Sequence, residues 1–389
     1  MEFIPYSCQQ ITEEDVEAVA RALRSEYLTQ GPAVSDFENA FAQVHQVTHA
    51  VAVSNATAGL HIACLALGVN AASRVWTTPN SFLASANCAL YCGATVDFVD
   101  IDPVTRNMSV AAFAAKLETA AHEGLLPAVV IPVDFSGLPC DLREMRALAD
   151  RYGFCILEDA SHAIGASYLG QPVGSAWAHA TVFSCHAVKI ITTAEGGLVT
   201  TQDAALAQRL RLFRSHGMTR DVAQMEYVSE GPWYYEQQDL GYNYRLTDIQ
   251  AALGSSQLTR LTALQARRIA LANRYDNILA GLPLVLPPRL PDRISSWHLY
   301  AVEVDGTRTV LSRAQVFQAL RDAQIGVNVH YIPIHLQPFY ARLGFQRGEF
   351  PAAEHYYARA LSLPLFASMS EAQQDRVAQV LIDVFRGAV

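Results

Sequence analysis

The sequence predicts an α/β protein: a large domain with a mostly parallel sheet covered by helices on both faces, followed by a smaller α+β domain. Three observations carry that prediction. The strand-like segments up to about residue 245 are apolar without interruption rather than alternating, as in strands buried on both faces. Helical periods separate them, as crossovers between parallel strands require. From Thr247 an apolar stripe at helical spacing runs to Leu279, where a stretch with four prolines (283–291) stops it. A helix of that length often bridges two domains.

Residues 15–24 form the first expected helix, with Val16, Val19, Ala20 and Leu23 on one face and Thr12 as cap ahead of Glu13, Glu14 and Asp15. Residues 49–54 read as a strand, and 57–67 as a helix opening directly after it. A short strand (74–77), a helix (81–91) and a strand (95–99) follow. The apolar run 128–133 is the next strand, then a helix over 141–152 and a strand over 155–157. Beyond the long stripe come a strand (297–304), a helix (313–323), a short strand (326–330) and a closing helix (371–385). The boundary is placed after Leu258, giving a large domain over 1–258 and a small one over 259–389.

Composition narrows the class. A chain of 389 residues, 51% hydrophobic and 17% charged, can bury a sizeable core and is not disordered. Its 28 basic residues against 37 acidic ones, with no basic run, argue against a nucleic-acid binder. No stretch of about 20 apolar residues occurs, so no membrane partner is expected. The first five residues lack the basic and apolar regions of a secretory signal. Seven cysteines, mostly among apolar neighbours and never as Cys-x-x-Cys, read as buried reduced thiols. A cytoplasmic protein is expected.

Three motifs carry chemistry. Asp159 ends a buried strand, and parallel sheets bind ligands at the carboxyl ends of their strands; the alternative is a helix cap. Lys189 ends the apolar run that starts at Thr181, ahead of Gly196 and Gly197. A buried ammonium is costly, and a desolvated lysine is what Schiff-base chemistry uses; the alternative is a side chain reaching the surface. Ser54, Asn55, Ala56, Thr57, Ala58 and Gly59 join a strand to a helix with small and hydroxylated residues, a cradle suited to phosphate or simply good packing. Together they supply what pyridoxal phosphate needs: a phosphate cradle, a carboxylate for the pyridine nitrogen and a lysine for the imine. Phe82 is a candidate ring to stack on the pyridine, or a core residue. No metal site is expected.

The sequence resembles the DegT/StrS-type sugar aminotransferases, pyridoxal-phosphate enzymes of fold type I, over essentially its whole length. The motifs that carry this are Leu28 to Pro32, Glu158 to Ala163, Phe183 to Gly197, Arg214 to Met218, Gly241 to Gln250 and Gly326 to His335. Within the family it is most similar to the 4-aminotransferases of pseudaminic acid biosynthesis. The resemblance implies that Lys189 carries the imine, Asp159 pairs with the pyridinium and His162 lies beside the ring. It implies phosphate contacts from Ala56, Thr57 and Ser184, next to Asn55, and from Asn243 across a homodimer with shared active sites. It also implies that Tyr6, Glu26, Tyr27, Leu28 and Thr29, with Asn328, Val329, His330 and Tyr331, line a nucleotide-sugar site. The implied partners are L-glutamate as amino donor and a nucleotide-diphosphate 4-keto sugar as acceptor.

Three positions depart from the family pattern: Cys185 where Phe is common, Asn55 where Ser is usual, and Asp134 where His is common. None removes a chemically required group. Relatives that deoxygenate the sugar carry His in place of the lysine, and non-catalytic relatives exist as well. Lys189, together with Asp159 and His162, argues for an aminotransferase.

Overall fold

The computed structural model describes residues 2–387. Its centre is a seven-stranded sheet of β1 (His49–Val53), β2 (Arg74–Thr77), β3 (Thr95–Phe98), β4 (Val129–Ile131), β5 (Cys155–Asp159), β6 (Ala180–Ser184) and β7 (Gly197–Thr201). Their spatial order is β1-β7-β6-β5-β4-β2-β3. Only β7 runs antiparallel to its neighbours. The sheet is therefore mostly parallel, as the unbroken apolar strands predict.

Helices α1 (Glu13–Leu23), α2 (Pro32–Val44), α3 (Ala56–Ala66), α4 (Ala84–Tyr91), α5 (Val110–Glu123), α6 (Leu142–Tyr152) and α7 (Ala204–Arg214) accompany it. Strand β1 shows how both faces are covered. Val51 and Val53 pack with Leu60 and Ile62 of α3, whereas Ala50 and Ala52 face Phe37 and Phe41 of α2. Helices α2, α5 and α7 and strand β7 were not among the expected elements.

The long stripe is not one helix. It divides into α8 (Asp248–Leu258) and α9 (Leu261–Ile278). Arg260 between them leaves helical geometry (φ −102°, ψ 2°), and its guanidinium is held by Asp15 of α1. The expected strand over 326–330 is also absent. Only isolated pairings form there, Ile4 with Ile325 and Asn328 with Ser362, because this stretch bends along the cavity described below.

The second core gathers α9, α10 (Arg313–Asp322), α11 (Glu371–Arg386) and a small antiparallel sheet of β8 (Leu284–Val285), β9 (Tyr300–Val304) and β10 (Ala360–Leu363). Ile4 belongs to this core, its N–H donating to Gln324 O at 3.0 Å. Arg268 of α9 is buried without a carboxylate. It donates to the carbonyls of Trp297 (3.1 Å), His298 (3.3 Å) and Leu365 (3.1 Å), and burial pulls its pKa down to about 10. That clamp fixes the segment carrying His298. All seven cysteines are free thiols. No helix among the described residues is long and apolar enough to cross a membrane.

Candidate active site

A cavity of about 890 Å³ opens at the carboxyl ends of β5 and β6, beside the N-terminus of α3. This is the position at which open α/β sheets bind ligands, and the volume suits a small cofactor with a substrate beside it.

Asp159 is the last residue of β5, longer by two residues than the expected strand, and it is 4% exposed. Its Oδ2 accepts the Ser85 hydroxyl at 2.6 Å, and its Oδ1 accepts the Ser161 N–H at 3.1 Å. Ser81 and Ser85 share a further hydroxyl hydrogen bond of 2.7 Å. The cap-like bond to Ser161 is thus present, but the carboxylate also lines the cavity.

Lys189 does not end a strand. Strand β6 stops at Ser184, and Lys189 sits in a loop where its N–H donates to His186 O at 2.9 Å. Cys185 still pairs with Gly196, so the chain leaves and rejoins the sheet around that loop. The amine reaches into the cavity rather than to the outer surface. Burial there lowers its pKa to about 8, against the opposing pull of the Asp159 carboxylate. A substantial neutral fraction is present at neutral to mildly alkaline pH, as a nucleophile requires.

At the other end lies α3. Asn55 caps it by accepting the Ala58 N–H at 2.8 Å, and the Asn55 carbonyl takes the Gly59 N–H. The first N–H groups of a helix have no intrahelical partner, so those of Ala56 and Thr57 remain for whatever fills the cavity they line. Ser184 lines it as well. Gly197 on β7 allows this close approach: a Cβ there would lie 2.8 Å from Ala56 N and 2.9 Å from Phe183 O.

His162 and Phe82 also line the cavity. Phe82 is 60% exposed, so it is a mouth residue and not a core one. His162 Nδ1 accepts the Ser136 N–H at 3.2 Å, which places the ring proton on Nε2, facing the Tyr331 hydroxyl at 3.1 Å. Burial first, then the charges of Lys189 and His330, hold its pKa well below the usual range, so the ring is neutral. Tyr6, Asn328, Val329, His330 and Tyr331 line the remaining wall.

Five expected residues lie elsewhere in the single chain. The 26–29 segment is pinned to the start of α8, where Asp248 N–H donates to Leu28 O at 3.0 Å and Thr29 pairs with Thr247. Glu26 is exposed there, and Tyr27 borders a different groove, beside Pro32 and Asp248. Asn243 is exposed, its backbone paired with Ser215. Near it in the chain, Tyr227, Val228, Trp233, Tyr235 and Leu240 are apolar and more than half exposed.

The sequence reading missed His298, whose ring centroid is 4.4 Å from that of His162. It missed Ser85, and the His186–Glu195 pair (3.7 Å) at the cavity wall. Only the Arg268 clamp, invisible in sequence, explains why His298 is there. Cys185 is fully buried among Ile190, Ile191 and Leu246, and burial pushes its thiol up to about 12, so it is inert packing.

A helix N-terminus with hydroxyls at one end, a carboxylate at the other and a cavity-facing amine between fit one cofactor. Fold and cavity together define a fold type I enzyme that uses pyridoxal phosphate. More narrowly, the chain belongs to the DegT/DnrJ/EryC1/StrS aminotransferase family, which it matches over residues 9–382. It is a sugar aminotransferase. The spore coat polysaccharide biosynthesis protein SpsC of Bacillus subtilis is 39% identical over 389 residues, covering 99% of this chain and 98% of that protein. Among solved structures, Helicobacter pylori PseC, an aminotransferase of pseudaminic acid biosynthesis, superposes with a TM-score of 0.90 at 31% identity, covering 99% of this chain and 100% of that one. A putative sugar aminotransferase of Streptococcus pneumoniae, Spr1654, in its pyridoxamine-phosphate form, reaches 0.89 at 30% identity with the same coverages.

Proposed function

We propose that this enzyme moves an amino group from L-glutamate to C4 of a nucleotide-linked 4-keto-6-deoxy sugar, with the UDP-linked sugar of pseudaminic acid biosynthesis as acceptor. The observation that carries the reading is that Lys189, Asp159 and the α3 N-terminus with Thr57 and Ser184 line one cavity. Likeness to PseC supports the choice of sugar.

When bound, pyridoxal phosphate supplies the electron sink that makes a proton on the carbon bearing the amine labile. In this reading Lys189 would hold the cofactor covalently, and its free amine would take up and return that proton as general base and acid. Asp159, aimed by Ser85 and Ser161, holds a proton on the ring nitrogen. Ala56, Thr57 and Ser184 take the phosphate. Phe82 and His162 would lie against the ring. Tyr6, Asn328, Val329, His330 and Tyr331 contact the sugar nucleotide.

Two halves follow in turn, so the kinetics are ping-pong. We assign Asn243, and the 26–29 segment with it, to the site of a second copy in a homodimer; the exposed apolar side chains of 227–240 support that assignment. The large unit over 1–258 carries the cofactor, the small one over 259–389 closes the site, and the setting is the cytoplasm. A panel of UDP- and dTDP-linked 3-keto and 4-keto sugars with glutamate, read by mass spectrometry, tests the function. A UDP-linked 4-amino product is expected. Amination of another carbon, or of dTDP sugars alone, would overturn the choice of substrate.

A further inference from the structure

A second cluster of ionisable groups lies on the far side of the sheet from the cavity. Neighbouring strand residues point to opposite faces, so Glu158 turns away from the cavity that Asp159 lines. Glu158 and Asp134 are both fully buried. Each has one satisfied oxygen: Thr181 Oγ1 donates to Glu158 Oε2 at 2.7 Å, and the Cys140 N–H to Asp134 Oδ1 at 2.8 Å. The other two, Glu158 Oε1 and Asp134 Oδ2, find no donor among the described residues. The two carboxyl groups lie within hydrogen-bond reach of each other. The groups that bear on them most strongly are Asp159, Thr181 and Cys140, with no cation among them.

Two dry carboxylates this close cannot both stay charged, because repulsion adds to desolvation. One proton between the orphan oxygens satisfies both and removes the repulsion. We propose that Asp134 and Glu158 share one proton between Oδ2 and Oε1, forming an acid pair with a single negative charge behind Asp159 that positions and tunes that residue. The mechanical link is short, since the Asp134 N–H donates to Asp159 O at 3.1 Å and Val133 pairs with Asp159. Burial pushes the Asp134 carboxyl up to about 7 and that of Glu158 well above its usual range, consistent with a proton retained at neutral pH. Beyond Asp159, on the cavity side, stand Lys189 and His162.

Infrared spectroscopy of the holoenzyme at about pH 8, well above the ordinary carboxylate range, reads this proton directly. A carboxylic-acid carbonyl stretch is expected in the wild type and should vanish in Asp134→Asn/Glu158→Gln. No such stretch in the wild type, or its survival at full strength in the double variant, overturns the shared proton. The wild-type measurement stands even if no variant folds.

The tuning role rests on the proposed pairing of Asp159 with the ring nitrogen. Removing one negative charge behind Asp159 should lower the pH midpoint of the bound cofactor's visible absorbance by about half a unit or more. KM for the amino donor should stay unchanged. An unmoved midpoint beside an intact infrared signal overturns the tuning and leaves the proton in place. A wild-type holoenzyme lacking the visible band would count instead against the roles of Lys189 and Asp159.

Discussion

Two sets of residues were expected to meet at one site, and the fold treats them oppositely. Lys189, Asp159, Ala56, Thr57 and Ser184 hang from strand ends and a helix N-terminus that one sheet brings together. Asn243 and the 26–29 segment sit at the surface, outside the cavity. The difference teaches where information resides. The first set is assembled by the core of a single chain, so burying the sheet builds it. The second holds local pairings to Thr247, Asp248 and Ser215 but stays outside that cavity, so only the proposed homodimer would bring it to a site.

The largest effect that can break this contrast comes from Lys189→Ala. Turnover and the visible absorbance of linked cofactor should both vanish, because one amine serves the covalent link and the proton transfer. More than a trace of either would mean that a different lysine does the chemistry.

Asp159→Asn should come next. The near-isosteric amide keeps the fold but removes the negative charge, and kcat should fall by at least about a hundredfold, as when a preorganised electrostatic partner is lost. A change below about tenfold would reduce Asp159 to the partner of Ser161 in a turn.

Asn243→Ala sharpens the other half of the comparison. Cofactor retention should weaken by about 1.5–3 kcal/mol, the range for a hydrogen bond to a charged group. Co-expressed heterodimers of Asn243→Ala with Lys189→Ala should regain activity, because one site carries both lesions and the other neither. Verified heterodimers with no activity above either parent would place Asn243 in its own subunit's site.

The smallest effect is on stability. Folded Lys189 gives up its proton near pH 8, while an unfolded lysine keeps its proton to about 10.4. Between those values the unfolded chain binds more protons, so stability rises with pH in that window and this contribution is lost as the pH falls through it. Lys189→Met removes the penalty. The apoprotein should gain on the order of 1 kcal/mol at neutral pH, read by denaturant melts. An unchanged or lower midpoint would mean that the cavity solvates the ammonium well.

Much of this was legible in the sequence for definite reasons. Strands buried on both faces show as apolar runs such as Val129–Ile131, and the Asp159 and Lys189 motifs carry their chemistry in residue type. What stayed hidden depends on contacts between distant parts of the chain. The break at Arg260 follows from a bond to Asp15, which no helical period reveals. His298 reaches the cavity because Arg268, thirty positions earlier, grips three carbonyls. Glu158 reads as one more strand residue until Asp134 is found beside it. Strand β7 went unseen because it opens on Gly197, directly behind Gly196, and so reads as the end of the loop motif that follows Lys189.

The docking of Ile4 against Ile325 sets a timetable. Tyr6, on the cavity wall, belongs to a strip made long before its anchor, because Ile325 lies about 320 positions after Ile4. At about 5–20 residues per second the strip waits on the order of tens of seconds before it can settle. The large sheet can close around Lys189 and Asp159 during that interval. The wall carrying Tyr6 is therefore finished late, and a nascent chain arrested before residue 325 should lack that side of the cavity.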